Sequence, residues 1–555
     1  MNSNYIDINQ VVNRWNVTEE KIQELAKIHF PYKTPNPGQL EAIVNIVKDF
    51  LIDNRRHVIL EAPTGVGKSA IAITIHRVMK AINNNHRTQI TTATKGLQDQ
   101  YVGDFRDDIL DLKGKTNYEC PHNVGPYNSS GCRRYQAMKV CDKKTQCPYY
   151  TQRVEWCNRA ELRSTNNSFS IEACPALVML PENKATLMIC DESHELDDHI
   201  IEHTALSFQM KDFTDLAKYG RLSLITKLSN IIKEFGKIGK GVPFHPDENL
   251  ITVVSECLEE INEYLNLLDE KKDISDEENT LLENLQSIQD KFSLFKTLAD
   301  SGEWLLQEYE TNTSVKLKSV YAHTVSEYGL FRKCDIFLHM SATICGFEEY
   351  ARSLGLENYS TVTIENPIPI ENRRIIVLPK FSLHRYFNDW EKYFKFIHAI
   401  LTKHKDERGL IHSVSFDLAN KIMDSLPKEM ARRAIVSNKR YDIMDHMKRN
   451  HNGIVISPSI EKGYDFKGDL SRFQIIAKVP FGFLGDPHIK LNTERSSEWY
   501  ARKTILRIVQ ASGRAVRGPT DYAKTYVVDS QILKLIANNS ELFPEYYLDA
   551  IEILE

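Results

Sequence analysis

The sequence predicts an α/β protein with two parallel-sheet domains, on three observations. Residues 57–94 run strand, glycine-rich turn, helix, strand (HVILEAPTGVGKSAIAITIHRVMKA, then TQITTAT), the order of a βαβ unit. Apolar strand-length runs alternating with helices return from residue 334, in CDIFLHMSAT, RGLIHSVS, GIVISPS, FQIIAKVPF and KTYVVDS. Two stretches of other character interrupt the first half, a cysteine-rich one at 116–157 and a polar helical one at 201–303.

Taken in order, residues 7–30 carry the period of an amphipathic helix leading into FPYKTPNPGQ. The prolines stop it, and a new helix starts near Gln39. The buried-strand run ATLMIC ends at Asp191. Farther on, Leu258, Ile261, Leu265 and Leu268 share one helical face, and Leu281, Leu285, Ile288 and Phe292 share another. The acidic segment DEKKDISDEEN between them makes a helical hairpin with solvated outer faces. No internal repeat or low-complexity tail is present.

The 555 residues allow roughly three or four domains. A composition 42% hydrophobic and 26% charged belongs to packed globular domains. The net charge of −5 excludes a uniformly basic nucleic-acid coat, so any basic surface is local. No secretory signal opens the chain, and no run of about 18 apolar residues offers a membrane span. A cytoplasmic location is the expectation. Five of the ten cysteines fall at 120–157. In an intracellular protein that clustering points to a metal rather than to disulfides.

EAPTGVGKS (61–69) follows a buried strand and opens a helix, as a phosphate-binding P-loop must. Its backbone N–H groups and the helix N-terminus face phosphate oxygens. Lys68 can reach the β- and γ-phosphates, and the Ser69 hydroxyl can hold Mg²⁺. The first position of the strict pattern is Ala62 instead of glycine, and a chance glycine-rich turn is the bland alternative. DESH (191–194) ends an apolar strand, so Asp191 can bind Mg²⁺ and Glu192 can deprotonate the attacking water. A helix-capping acidic strand end is the competing reading. In QASGRAVRG (510–518), Arg514 and Arg517 are three apart and would share one helical face. Such arginines can stabilise transition-state charge on a γ-phosphate; a solvated basic face is the alternative.

These segments together resemble superfamily 2 helicases, and more narrowly the XPD/DinG-type iron–sulfur DNA helicases. Gln39 in NPGQLEAI resembles the adenine-reading glutamine. EAPTGVGKS resembles motif I, where this family commonly has Ala first. TTATKGLQDQ (91–100) resembles motif Ia, DESH motif II, SAT (341–343) motif III and RGLIHSVS motif IV. SIEKGYDFKGD (459–469) resembles motif V, and QASGRAVRG motif VI. Two positions depart: Lys462 precedes Gly463 where the family has Glu, and Ser530 follows Asp529 where an Arg is common.

The resemblance implies two RecA-like lobes closing on ATP and Mg²⁺. Gln39, Thr64, Gly65, Gly67, Lys68, Ser69 and Gln510 would bind nucleotide, with Lys68, Asp191, Glu192, Arg514 and Arg517 catalytic. The first lobe would run 1–115, 158–200 and 304–348, and the second 349–555. A cluster insertion at 116–157 and an arch-like insertion at 201–303 would fill the gaps. The implied activity is ATP-dependent movement along single-stranded DNA, 5′ to 3′, unwinding tailed or forked duplexes as a monomer. An RNA or non-unwinding translocase and a non-catalytic metal-bearing binding module are the alternatives.

Spacing alone, C-x11-C-x8-C-x5-C-x9-C, lacks C-x2-C knuckles; it names no metal and leaves free thiols open. LKGKTNYEC and CPYYTQR resemble the borders of the family's cluster domain. That resemblance assigns Cys120, Cys132, Cys141 and Cys147 to a [4Fe–4S] cluster and leaves Cys157 spare. Residues 111–163 carry ten Lys and Arg against five acids, interleaved with tyrosines. Basic and aromatic side chains together suit a groove for single-stranded nucleic acid, or else a solvated surface.

Overall fold

The computed structural model describes residues 17–554 apart from 115–116, 122–142, 159–160, 167–169, 171–183, 271–275, 311–312, 385, 460–465, 467 and 519. Residues 7–16, Cys132, Cys141, Lys462 and Gly463 therefore lie outside the described residues.

The first lobe holds β1 (His57–Glu61), β2 (Thr88–Thr92), β3 (Ile109–Asp111), β4 (Leu162–Asn166) and β5 (Ala185–Asp191). The insertion holds β6 (Leu206–Gln209), β7 (Pro243–Phe244), β8 (Trp304–Glu310) and β9 (Ser314–Ser319). After it, β10 (Cys334–Ser341) and β11 (Tyr359–Thr363) return to the first lobe. Its seven parallel strands lie in the order β11-β1-β10-β5-β2-β4-β3. The second lobe holds β12 (Ile375–Phe381), β13 (Gly409–His412), β14 (Ala434–Val436), β15 (Ile454–Ser457), β16 (Phe473–Ile476), β17 (Lys524–Asp529) and β18 (Ile551–Ile553). These are also parallel, in the order β14-β15-β13-β16-β17-β12-β18. Strands buried on both faces explain the unbroken apolar runs in VIL and MIC. The α/β class and the two parallel-sheet lobes are as expected.

Two expected boundaries move. β11 pairs with β1 (Leu60 against Val362), so the first lobe continues to residue 363 rather than ending at 348. β8 and β9 join β6 and β7 in a four-stranded antiparallel sheet, so residues 304–319 belong with the insertion. That insertion is more than helices. The expected hairpin is present as α1 (Glu248–Glu270) and α2 (Asp276–Leu298), with all eight named apolar residues buried. Their side chains pack with Trp304 and Phe208 of the small sheet, and onward with Met188, Cys190 and Phe337 of the first lobe. One continuous apolar core makes the insertion a rigid extension of that lobe. It also touches the second lobe, where Gln307 donates to Asp486 (2.7 Å) and His488 Nε2 donates to the Val320 carbonyl (2.9 Å).

Among the described residues, no helix is long and apolar enough to cross a membrane.

Candidate active site between the lobes

In an open parallel sheet, ligands sit beyond the carboxyl ends of the strands, and the first lobe places its P-loop there. β1 ends at Glu61, and α3 (Lys68–Ile82) starts at Lys68. Gly65 (φ +86°) and Gly67 (φ +88°) turn the chain between them in the left-handed region. Ala62 is buried, and its N–H donates to Ser341 O at 2.9 Å, prolonging the β1–β10 ladder. The first pattern position therefore needs no glycine here.

Gln39 is buried at the start of α4 (Gln39–Leu51), and its amide holds the loop. Its Nε2 donates to Val66 O (2.7 Å) and Gly67 O (3.3 Å), and its Oε1 accepts the Asn36 N–H (2.6 Å). The expected adenine reader is thus a brace for the P-loop in this structure, with both ends of its amide engaged.

Glu192 projects from a left-handed backbone (φ 54°) just past β5. Its Oε1 lies 3.8 Å from Lys68 Nζ, and its Oε2 lies 3.3 Å from His194 Nδ1. Burial alone would raise the Glu192 carboxyl, but Lys68, His194 and Arg514 hold it well below the usual range. Asp191 sits deeper, taking hydrogen bonds from Tyr101 Oη and the Glu192 N–H, both at 3.0 Å. Burial, with the Glu192 charge beside it, pushes the Asp191 carboxyl up to about 6.

The second lobe supplies the facing wall. Helix α5 (Ser497–Ser512) carries Gln510, whose side-chain amide nitrogen donates to His194 Nε2. With Nε2 accepting, His194 Nδ1 carries the proton, and Ser341 Oγ lies 2.8 Å away to receive it. Arg514 and Arg517 do not share a helical face, because α5 ends at Ser512 with Gly513 as its C-cap. Arg514 lies in the turn that follows, and Arg517 in the irregular chain just beyond it. They nevertheless line the same cleft of about 910 Å³ as Thr64, Glu192, His194 and Gln510. The Arg517 carbonyl comes so close to Gly65 that a Cβ there would lie 2.6 Å from its oxygen.

Several residues of this site were not singled out in the sequence. Tyr101 supports Asp191, and Glu61 accepts the Ile344 N–H (2.6 Å), tying the P-loop strand to the end of the SAT turn. Arg502, fully buried on α5, donates to the Cys345 and Ile344 carbonyls (3.0 and 3.1 Å). Asp529 accepts backbone N–H groups from Leu383, Val479 and Gln531, so it knots second-lobe loops whatever follows it.

In the cysteine region, Cys120 and Cys147 are buried and pack together with Tyr118, Tyr149 and Tyr150. The Tyr150 N–H donates to Cys147 Sγ at 3.3 Å, a contact that suits a thiolate ligand. Cys157 packs elsewhere, with Leu112 and Trp156, where burial raises its thiol. Among the described residues no group of three or more metal-binding side chains converges, and Cys132 and Cys141 lie outside those residues. One expected groove cation is corrected. Arg163 is fully buried on β4, its guanidinium 4.5 Å over the Trp156 ring, because its strand is interior.

Two family models match the chain. One is a helicase C-terminal domain over residues 397–547, and the other a type III restriction enzyme res subunit over residues 32–220. The ATP-dependent DNA helicase YoaA of Haemophilus influenzae is 20% identical, over 96% of each chain. The ATP-dependent DNA helicase DinG of Escherichia coli is 21% identical, over 90% of this chain and 91% of its own. An XPD helicase structure shares the fold at TM-score 0.60, with 16% identity, covering 94% of this chain and all of that one. The Xpd4 structure from S. tokodaii does so at TM-score 0.57, with 14% identity and the same coverage.

Two parallel-sheet lobes, with a P-loop on one and arginines on the facing wall of the other, have the arrangement of a two-lobed nucleotide-hydrolysing motor. The two helicase-related family matches, the DinG and YoaA relatives and the XPD-like fold together support an XPD/DinG-type superfamily 2 helicase.

Proposed function

We propose that this ATP-dependent DNA helicase moves 5′ to 3′ on single-stranded DNA as a monomer in the cytoplasm and opens tailed or forked duplexes. The observation that carries the reading is the cleft itself, with Thr64 and Glu192 on one wall and Gln510, Arg514 and Arg517 on the other. In this scheme Lys68 neutralises the β- and γ-phosphates, and Ser69 and Asp191 would hold Mg²⁺. Glu192, at hydrogen-bonding reach of the His194 ring, takes the proton of the attacking water. Arg514 and Arg517 stabilise the charge that develops on the γ-phosphate, an effect worth about 10³–10⁵ in rate for such arginines. Closure of the lobes on ATP and opening after hydrolysis advance the strand.

Cys120, Cys132, Cys141 and Cys147 would hold a [4Fe–4S] cluster, which the paired, buried Cys120 and Cys147 and the Tyr150 N–H support. When bound, such a group would cross-link four positions of the 120–147 stretch. Lys144, stacked 4.4 Å over the Tyr150 ring, supplies a cation and an aromatic face beside it for single-stranded DNA.

The test is Lys68→Ala. DNA-stimulated ATPase should vanish while the melting temperature holds, and full activity would sink the phosphate assignment. Matched 5′-tailed and 3′-tailed duplexes read the polarity, and preference for the 3′ tail would reverse it.

A further inference from the structure

The SAT turn stands at the meeting point of both lobes, and a tyrosine from beyond the last motif holds it. Tyr546 lies in the short helix Glu545–Leu548 of the second lobe, and it lines the cleft. Its hydroxyl donates to Ala342 O (3.4 Å) and is 2.9 Å from Thr343 Oγ1, which with that polarity donates to it. The Thr343 N–H in turn donates to Ser341 Oγ (3.2 Å), the same oxygen that takes the His194 proton. The chain of contacts thus runs Tyr546, Thr343, Ser341, His194, and ends at Glu192 and Gln510. The backbone of Tyr546 is itself fixed to the crossing between the lobes. Arg373 donates to the Tyr546 carbonyl and, through Nε, to Ile368 O (2.8 Å).

We propose that Tyr546 is a positioning residue for ATP hydrolysis, the second lobe's hold on the SAT turn, which keeps His194 and Glu192 in hydrolytic register only when the lobes are closed. This rests on the reading of the cleft as the ATPase site. Tyr546 touches the DESH segment only through Thr343 and Ser341, so it acts on the turnover step and not on nucleotide affinity. Burial raises the phenol well above its ordinary value, so its donating hydrogen stays in place at any working pH. Gln510 reaches His194 from the helix side of the same lobe, and Arg502 holds the Ile344 and Cys345 carbonyls just past SAT, so Tyr546 is the contact from across the cleft that reaches the Thr343 side chain.

Full-length Tyr546→Phe and Thr343→Val remove the contact from either side while keeping shape. Each should lower DNA-stimulated kcat about tenfold, the scale of one lost buried hydrogen bond. KM for ATP, the Kd of a fluorescent non-hydrolysable ATP analogue and the melting temperature should stay within about twofold or unchanged, as expected when only transition-state contacts are lost. The double variant should be no worse than either single one. An active parent with an unimpaired Tyr546→Phe overturns the proposal alone, as does an additive double variant or a loss of affinity that matches the loss of kcat. A parent chain without ATPase activity overturns the underlying reading, and the proposal with it.

Discussion

Gly65→Ala isolates the contact through which the second lobe reaches the P-loop. Two costs add. A residue with a Cβ at φ +86° carries roughly 1–2 kcal/mol of left-handed strain. The new methyl would also lie 2.6 Å from the Arg517 carbonyl oxygen and 3.2 Å from its carbon. Both partners are backbone, so no side chain can swing aside, and relief requires the P-loop to bend or the lobes to part. Overpacking of this kind costs about 1–3 kcal/mol. Together the two amount to about 2–5 kcal/mol, or roughly 30- to several thousand-fold in kcat/KM. Steady-state ATPase with saturating single-stranded DNA measures it. Gly518→Ala is the control, since a Cβ there meets nothing within 4 Å and the position sits beside the same arginine. A Gly65→Ala variant within about threefold of the parent would show that the lobes do not approach through this contact during turnover.

Two further outcomes concern other regions. Anaerobic purification should give about four irons per chain. Cys147→Ser should lose them and Cys157→Ser keep them, because Cys147 receives a backbone N–H while Cys157 packs in a separate apolar cluster; equal iron in both variants contradicts the ligand assignment. Acid should destabilise the fold through four buried histidines, since burial lowers His76 and His412 to about 4 and His86 and His339 to about 3. The unfolded chain binds protons at about pH 6.5 that the folded chain refuses, so stability is full above that pH and falls as pH drops toward 4. The slope is about 1.4 kcal/mol per pH unit for each histidine. Asp191, raised to about 6, works in the opposite direction, as do the raised carboxyls of Asp49, Glu61, Asp290 and Glu349. His57, lowered by burial, and Glu202, lowered to about 2 against its burial by Lys316 and Lys318, add to the four. Melting temperatures flat between pH 7.5 and 5 would refute it.

What could be read from the sequence was local. The P-loop declares itself because a strand, two positive-φ glycines and a helix start lie within nine residues. DESH and SAT end neighbouring parallel strands, so their apolar runs mark them as well. The hairpin α1–α2 showed in its period. Contacts across long separations stayed hidden. Glu61 meets Ile344, and Thr343 meets Tyr546, only because β1 and β10 pair and the second lobe folds back over both. Strand β11 escaped because YSTVT is an edge strand with one buried residue, and it offers no apolar run. The insertion sheet escaped for a related reason, since PF and LSFQ are too short to show a period and pair far along the chain. The three-residue spacing of Arg514 and Arg517 misled, because Gly513 stops the helix just before them; both reach the cleft from the non-helical chain beyond it, where spacing carries no facial meaning.

The strained positions show what lobe contact does for the site. Among the described residues, four that are not glycine have positive φ, and two of these, Glu192 and Cys345, lie just past the carboxyl ends of the adjacent strands β5 and β10. Each costs on the order of 1–3 kcal/mol, and such conformations persist only where the surroundings over-determine them. At Cys345 the surroundings come from the second lobe, as the buried Arg502 guanidinium donates to its carbonyl and to that of Ile344. Hydrogen bonds from a charged donor contribute about 1.5–3 kcal/mol each, enough to offset the strain. Lys503, next to Arg502, bridges Asp197 and Asp198 on the first lobe at 2.9 Å each. At Glu192 the hold is mixed, Lys68 from its own lobe and Gln510 acting through His194 from the other. The hold on these two turns is therefore shared between the lobes. Parting the lobes would remove the Arg502 hold on the Cys345 turn and the Gln510 hold on His194, and would leave Glu192 with Lys68 and His194 of its own lobe.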